Sequence, residues 1–122
     1  MQRTRLAILL GVLASSTLVC DRARETAPQQ RDAAAIAHGQ QLFVDHCAIC
    51  HGERADGHGT RRQFLDPRPP DFTSQQWQLT HPEQSVTNSI RNGVAGTAMP
   101  SWRILGEQEI RDLMAFVKSR SS

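Results

Sequence analysis

Cys47-Ala48-Ile49-Cys50-His51 is the stretch that decides the fold of this chain of 122 residues. Two thiols separated by two residues can each bond to one vinyl group on the same edge of a porphyrin. The adjacent histidine can then supply an imidazole to the iron. The stretch therefore predicts one covalently attached haem c, with Cys47 and Cys50 as attachment points and His51 as an axial ligand of the metal.

Three other uses of paired cysteines agree less well with the rest of the chain. A zinc ribbon needs a second pair of thiols or histidines, and the only other cysteine is Cys20, beside an apolar segment. A thioredoxin-type pair follows a strand, whereas the residues before Cys47 have a helical pattern. A disulfide between Cys47 and Cys50 would close a loop too small to gain much entropy. Haem attachment is the interpretation of the paired cysteines that agrees with the rest of the chain.

The first 20 residues have the pattern of an export signal. Arg3 and Arg5 form a basic region, and an apolar stretch and a run of small residues follow. We therefore assign residues 1–20 to a signal peptide, 21–31 to a flexible polar linker interrupted by Pro28, and 32–122 to the folded domain. Export would place that domain in the periplasm, where the haem-attaching thiols are outside the reducing cytosol.

Cys20 lies at the end of the apolar stretch, directly before the polar residues 21–25. This position resembles the lipid-attachment site of bacterial lipoproteins, although Leu18 and Val19 stand where those signals prefer a small residue. Two alternatives follow. Either a lipid on Cys20 tethers the protein to the membrane, facing the periplasm, or ordinary cleavage after Ser16 leaves Cys20 as a free thiol.

The balance of charge restricts the partners. The chain has 14 basic and 12 acidic residues, and without Arg3 and Arg5 the numbers are equal. A nucleic-acid-binding protein needs a basic face, so no nucleic acid partner is expected. Lys118 is the only lysine, which argues against a docking ring of lysines. We expect a monomer that meets redox protein partners through a small apolar surface.

Apolar periodicity predicts an all-α domain with three main helices, loops between them, and no strand of useful length. The first helix is expected from Asp32 to His46. The second follows a capping box at Thr80-His81-Pro82-Glu83 and ends near Arg91. The third runs from Glu107 to about Arg120 and carries an apolar stripe. One further helical turn could form from Ser74 to Trp77.

Gly39 inside the first helix costs about 1 kcal/mol relative to alanine, which indicates that another backbone packs closely against it. Met99 lies in the Gly/Pro loop Gly96-Thr97-Ala98-Met99-Pro100-Ser101-Trp102, where a methionine has no packing role. Its soft thioether suits haem iron, so Met99 is the candidate for the other axial ligand. Met114 falls on the apolar stripe of the last helix and is assigned to the core.

Three landmarks together resemble those of class I c-type cytochromes, over about residues 32 to 120. They are Gly39 with Phe43, the haem motif, and the loop that contains Met99. The resemblance implies a small helical domain wrapped around one haem, with His51 and Met99 as the axial ligands. It also implies that the first and last helices cross at Gly39, where an aromatic residue, here Phe116, packs.

The same resemblance suggests further residues around the haem. His51 is expected to donate its free N–H to a carbonyl group next to a proline, for which Pro67, Pro69 and Pro70 are alternatives. Arg68 and Trp77 are candidate partners of the haem propionates, because arginine pairs with carboxylates and indole is a donor. Their alternative assignments are a surface arginine and a core tryptophan. The remaining candidates for an iron ligand are His38, His46, His58 and His81, of which His58 is the strongest.

Two axial ligands leave no open position on the iron, so the expected function is a one-electron carrier that is not an enzyme and has no catalytic residues. Two alternatives remain. The first is a haem c subunit bound stably to a dehydrogenase or terminal oxidase, and the second is a haem enzyme or gas sensor. Because a domain of roughly 90 residues has a thin core, we also expect the chain without haem to be largely unfolded.

Overall fold

The computed structural model describes residues 22–121. The predicted signal peptide and Cys20 lie outside these residues. The described part of the chain consists of helices and loops without a strand, which confirms the predicted all-α class. No helix in this part combines the length and the apolar character that crossing a membrane requires.

Five α-helices and one short 3₁₀ segment follow one another along residues 22–121. They are α1 (Arg22–His46), α2 (Ala48–His51), the 3₁₀ segment (Arg62–Phe64), α3 (Gln75–Thr80), α4 (Glu83–Asn92) and α5 (Glu107–Lys118). Helices α1, α4 and α5 correspond to the three predicted main helices, and α3 extends the turn expected after Ser74.

Helix α1 begins at Arg22 and not at the predicted Asp32. Residues 22–31, predicted as a flexible linker, therefore have a helical backbone. This stretch is rich in arginine, glutamine and alanine, which are strong helix formers. Pro28 removes one backbone donor, and the neighbouring residues still propagate the helix.

Helix α4 begins without the capping box predicted at Thr80. Thr80 is the last residue of α3, and its hydroxyl donates to the carbonyl oxygen of Gln76 at 2.8 Å. The N-cap position of α4 is taken by Pro82. A proline is tolerated there because the first N–H groups of a helix have no partner within it.

Helices α1 and α5 cross with their backbones in contact at Gly39. A Cβ atom on Gly39 would overlap the carbonyl oxygen of Asp112, so this crossing requires a residue without a side chain. Beside it, the rings of Phe43 and Phe116 pack with centroids 5.1 Å apart. The close approach predicted at Gly39 and the packing predicted for Phe116 are both confirmed.

The core lies between this crossing and α4. The apolar stripe predicted on α5 is buried along its whole length, as are two side chains of α4 that face it. The buried residues of these two helices are Ile110, Leu113, Met114, Phe116, Val117, Val86 and Ile90. The assignment of Met114 to the core is thereby confirmed.

A buried carboxylate lies next to the crossing. Asp112 on α5 is only 5% exposed, and its Oδ2 lies 2.7 Å from Nδ1 of His38 on α1. Its Oδ1 accepts a hydrogen bond from Nε2 of Gln108 at 2.8 Å. A carboxylate is costly to bury without such partners. His38 therefore binds Asp112 across the helix crossing and is not part of a haem site.

We expect His38→Ala to lower the free energy of unfolding by about 1–3 kcal/mol, because a buried acceptor would lose one of its two donors. Gln41→Ala is the matched control, since Gln41 also bonds an aspartate on α1, Asp45, but in an exposed pair. Its expected change is below about 0.5 kcal/mol. Denaturant unfolding of the haem-containing proteins measures both values. If His38→Ala lowers the free energy of unfolding no more than Gln41→Ala does, the contact between His38 and Asp112 contributes no stability.

Candidate functional site

An apolar cavity of about 340 Å³ lies between α1, α5 and the loops that flank α3 and α4. This volume is within the usual range for a pocket that holds a small molecule or cofactor. Four of its lining residues are Cys47, Cys50, His51 and Met99. The structure therefore brings the predicted attachment and ligand residues together around one space.

The short helix α2 positions the haem motif on the cavity. Cys47 is its N-cap, and the amides of Cys50 and His51 donate to the carbonyl oxygen of Cys47 at 3.1 and 2.9 Å. This turn aligns both sulfur atoms and the imidazole ring along the cavity. The two thiols are half-buried and do not form a disulfide with each other.

Burial keeps the side chains of Cys47 and His51 neutral. Burial, reinforced by the neighbouring Cys50, raises the pKa of the Cys47 thiol to about 11. Burial also lowers the pKa of His51 to about 4, so its imidazole is uncharged at neutral pH and can offer a lone pair to a metal. Two thiols, a neutral imidazole and a thioether around an apolar space are a donor set that fits a covalently attached haem.

Met99 reaches the cavity from a loop that is fastened to the C-terminal end of α4. The amide of Val94 donates to the carbonyl oxygen of Met99 at 3.2 Å, and the amide of Trp102 donates to that of Ile90 at 3.0 Å. The amide of Met99 itself donates to Oγ1 of Thr97 at 3.1 Å. These bonds fix the backbone on both sides of Met99, whose side chain is half-buried.

The histidines that line the cavity, apart from His51, are not the one that the sequence favoured as a rival ligand. His58, the strongest rival ligand by sequence, does not line the cavity, and its Nδ1 lies 2.8 Å from the carbonyl oxygen of Asp56. His46 and His81 do line it. The sequence feature that could have placed His81 at the cavity is its spacing of one helical turn from Trp77. For His46 that feature is its position directly before the haem motif.

The proline-rich segment 67–70 also lines the cavity, together with Arg68 and Trp77. The predicted hydrogen bond from His51 to a proline-associated carbonyl is not observed, because Nδ1 of His51 is buried without a hydrogen-bond partner among the described residues. The carbonyl oxygens of Pro69 and Pro70 instead lie against Gly57, where a Cβ atom would come within 2.8 and 2.9 Å of them.

One site residue has no clear signal in the sequence. Phe72 lines the cavity and is buried, with its ring stacked on the imidazole of His51 at a centroid distance of 5.0 Å. It follows the irregular Pro-Pro-Asp segment, where no hydrophobic period identifies a buried residue. The structure thus adds Phe72 to the residues that surround His51.

The similarity of this chain to known proteins agrees with the haem-binding residues described above. A family model described as Cytochrome c matches residues 36–121. The cbb3-type cytochrome c oxidase subunit CcoP of Cereibacter sphaeroides is 34% identical over 110 residues, which cover 88% of this chain and 36% of that protein. The cbb3-type subunit FixP of Rhizobium etli is 31% identical over 87 residues, covering 70% of this chain and 28% of that protein.

Among solved structures, a reducing HAO-like protein complex of Kuenenia stuttgartiensis resembles this chain with a TM-score of 0.60 and 26% sequence identity. The similarity covers 69% of this chain and 41% of that one. The chain therefore spans about a third of the length of the oxidase subunits that it matches and less than half of the chain in the solved complex.

Proposed function

The chain belongs to the cytochrome c family, and from this premise we propose that it is a one-electron carrier in which His51 and Met99 are the axial ligands of the haem iron. Its cofactor is covalently bound haem c, and the spacing of Cys47 and Cys50 fits that attachment. The observation that carries the proposal is the convergence of these four side chains on one apolar cavity.

The bound haem supplies a metal centre that gains or loses one electron. Thioether bonds from Cys47 and Cys50 would hold its position, and the imidazole and thioether of His51 and Met99 would take both axial positions. No position then remains for a substrate. The apolar lining excludes water, and a low dielectric disfavours the extra charge of the oxidised state. Both this lining and the His/Met ligand pair favour a positive potential.

The charge of the cavity lining supports one type of partner. Arg68 is the only permanently charged side chain among the lining residues, and no carboxylate is among them. A lining of this kind suits a redox protein partner with a neutral, apolar contact surface, and favours docking that is less dependent on salt than docking between oppositely charged surfaces.

We expect Met99→Ala to open one axial position on the iron. The variant should bind carbon monoxide when reduced, lose the weak near-infrared absorption band of the sulfur–iron bond, and have a lower midpoint potential. The physical reason is that a weakly donating thioether, which favours the ferrous state, would be replaced by water or by no ligand. Absorption spectroscopy and a redox titration of the purified protein measure all three effects.

Met114→Leu is the matched control, because Met114 is 2% exposed in the core and does not line the cavity. This variant should keep the near-infrared band and exclude carbon monoxide. Survival of the band in Met99→Ala would identify another ligand. Rapid binding of carbon monoxide to the unmodified reduced protein would favour a haem enzyme or gas sensor over a carrier.

A second candidate function is a haem c subunit held stably within an oxidase complex. It is supported by the similarity to proteins named as subunits of cbb3-type cytochrome c oxidase, of which the chain matches about a third. Mild extraction from membranes separates the two candidates. A subunit would co-purify with other chains in a constant ratio, whereas a carrier would be released as a monomer.

We also propose that the protein is exported to the periplasm and tethered to the membrane through a lipid on Cys20. The support is the order of basic, apolar and polar residues around that cysteine. Mass spectrometry of the mature protein tests this directly. It should show one haem per chain and a lipid on an N-terminal Cys20, whereas cleavage after Ser16 would give a longer chain without lipid.

A further inference from the structure

The loop that carries Met99 also closes the C-terminal end of α4. The amide of Trp102 donates to the carbonyl oxygen of Ile90 at 3.0 Å, and Oγ of Ser101 donates to the carbonyl oxygen of Arg91 at 2.7 Å. The last carbonyl groups of a helix have no partner within it, so the loop acts as the cap of α4. The position of the loop therefore depends on the end of this helix.

Gly93, which directly follows α4, is the residue at which the helix end and the loop touch. A Cβ atom on Gly93 would lie 2.8 Å from the carbonyl oxygen of Met99, and 2.9 Å from the carbonyl carbon of Pro100 and the amide nitrogen of Ser101. Its φ of +73° is also in the left-handed region that favours glycine. The backbone of Met99 can lie in this place only because position 93 has no side chain.

Helix α4 is held firmly enough to support the loop. Val86 and Ile90 are buried at 8% exposure on the side that faces α5. Nε and Nη2 of Arg91 donate to the two carboxylate oxygens of Glu107, the first residue of α5, at 3.2 and 2.6 Å. Such a two-point contact fixes direction as well as distance. The helix end that meets the loop is thus joined to the main core helix.

We propose that Gly93 and Ser101 are positioning residues that hold the sulfur atom of Met99 on the haem iron. Gly93 does so through the contact of its backbone with the loop, and Ser101 through the bond of its hydroxyl to α4. The proposal rests on the proposed function, because it takes Met99 as an axial ligand. A thioether is a weak donor, so its bond to the metal depends on how well the loop is held in the productive geometry.

The first test compares Gly93→Ala with Gly96→Ala in the oxidised, haem-containing protein. Gly96 has a φ of +76°, but no described atom lies within 4 Å of a Cβ placed on it. Gly96→Ala therefore introduces the same backbone strain without the overlap. The measurements are the near-infrared band of the sulfur–iron bond and the apparent dissociation constant of added imidazole, whose nitrogen binds the iron only where the sulfur of Met99 has left it.

Gly93→Ala should lose most of the near-infrared band and bind added imidazole about tenfold more tightly than Gly96→Ala. The reason is that overpacking of this kind destabilises the closed loop, and apparent affinity rises with the fraction of protein in the open form. Equal changes in the two variants would overturn the proposal, because strain alone would then account for them.

A second pair of variants decides the question even where Gly93→Ala does not fold. Ser101→Ala is compared with Ser119→Ala, since both serines are exposed and Oγ of Ser119 likewise donates to a carbonyl oxygen at a helix end, that of Phe116 at 2.7 Å. Ser119 does not line the cavity. Each variant loses one hydrogen bond of the same kind, so their losses of stability should be similar.

Ser101→Ala should lower the apparent dissociation constant of added imidazole about fivefold, which corresponds to about 1 kcal/mol, and Ser119→Ala should leave it unchanged. Equal constants in the two variants would overturn the proposal. The near-infrared band of the unmodified protein, and its loss in Met99→Ala, test the proposed function separately. A band that is present in the unmodified protein and unaltered in Gly93→Ala and Ser101→Ala would leave the proposed function standing and overturn the positioning role.

Discussion

Replacement of both Cys47 and Cys50 by alanine is expected to abolish covalent haem and to leave the domain largely unfolded. The reason is the size of the space that the haem would leave. At about 24 cal/mol per Å³ of residual cavity, an empty volume of about 340 Å³ would cost about 8 kcal/mol. Small domains are stable by only about 5–15 kcal/mol, so the loss is comparable with the whole stability of the fold.

Extraction with acidified acetone and mass spectrometry measure the loss of covalent haem, and circular dichroism measures the loss of folded structure. Cys20→Ser is the matched control, because it removes the third thiol of the chain without touching the haem motif, and it should retain one haem per chain. A double variant that still carries covalent haem would contradict the assignment of the two thiols. A double variant that is haem-free and folded would contradict the expectation that the haem completes the core.

Gly39→Ala is expected to destabilise the haem-containing protein by about 3 kcal/mol, which lowers the melting temperature by about 12–24 °C. The new Cβ atom would overlap the carbonyl oxygen of Asp112, and α1 and α5 would have to separate. Helix propensity alone predicts the opposite sign, since alanine in a helix interior is favoured over glycine by about 1 kcal/mol.

Ala37→Gly supplies the comparison within the same helix, because Ala37 is exposed on α1. This substitution should cost about 1 kcal/mol through propensity alone. Thermal unfolding of both variants separates the steric effect from the propensity effect. A melting temperature of Gly39→Ala at or above that of the wild type would show that the two backbones are not in contact.

Those parts of the fold and site that depend on covalent chemistry or on regular periodicity were predictable from the sequence. The spacing of Cys47, Cys50 and His51 is dictated by the chemistry of haem attachment, so it is visible without a structure. The stripe on α5 follows the period of a helix, and it is buried as predicted. Gly39 was informative because its cost in a helix interior requires a compensating contact.

The residues that sequence did not identify lie mostly between residues 52 and 81, where no periodicity exists. Phe72 reaches the cavity from an irregular loop, and local patterns do not specify the path of such a loop. His81 was named from the sequence only as a rival iron ligand, and it reaches the cavity from the end of the short helix α3. Thr80 illustrates a related limit, because its spacing from Glu83 fits a cap while its hydroxyl bonds within the preceding helix. His58, the strongest rival ligand by sequence, does not line the cavity, because the turn at Asp56 holds its Nδ1 2.8 Å from the carbonyl oxygen of Asp56.

The contact between Gly39 and Asp112 joins two positions that are far apart in sequence, and this has a consequence for biogenesis. Making a contact of such large sequence separation costs the chain the entropy of closing a long loop, and contacts of this kind slow folding relative to local ones. The haem motif emerges during synthesis well before α5. We therefore expect Cys47 and Cys50 to be more accessible to haem in chains in which α5 has not yet packed on α1 at Gly39.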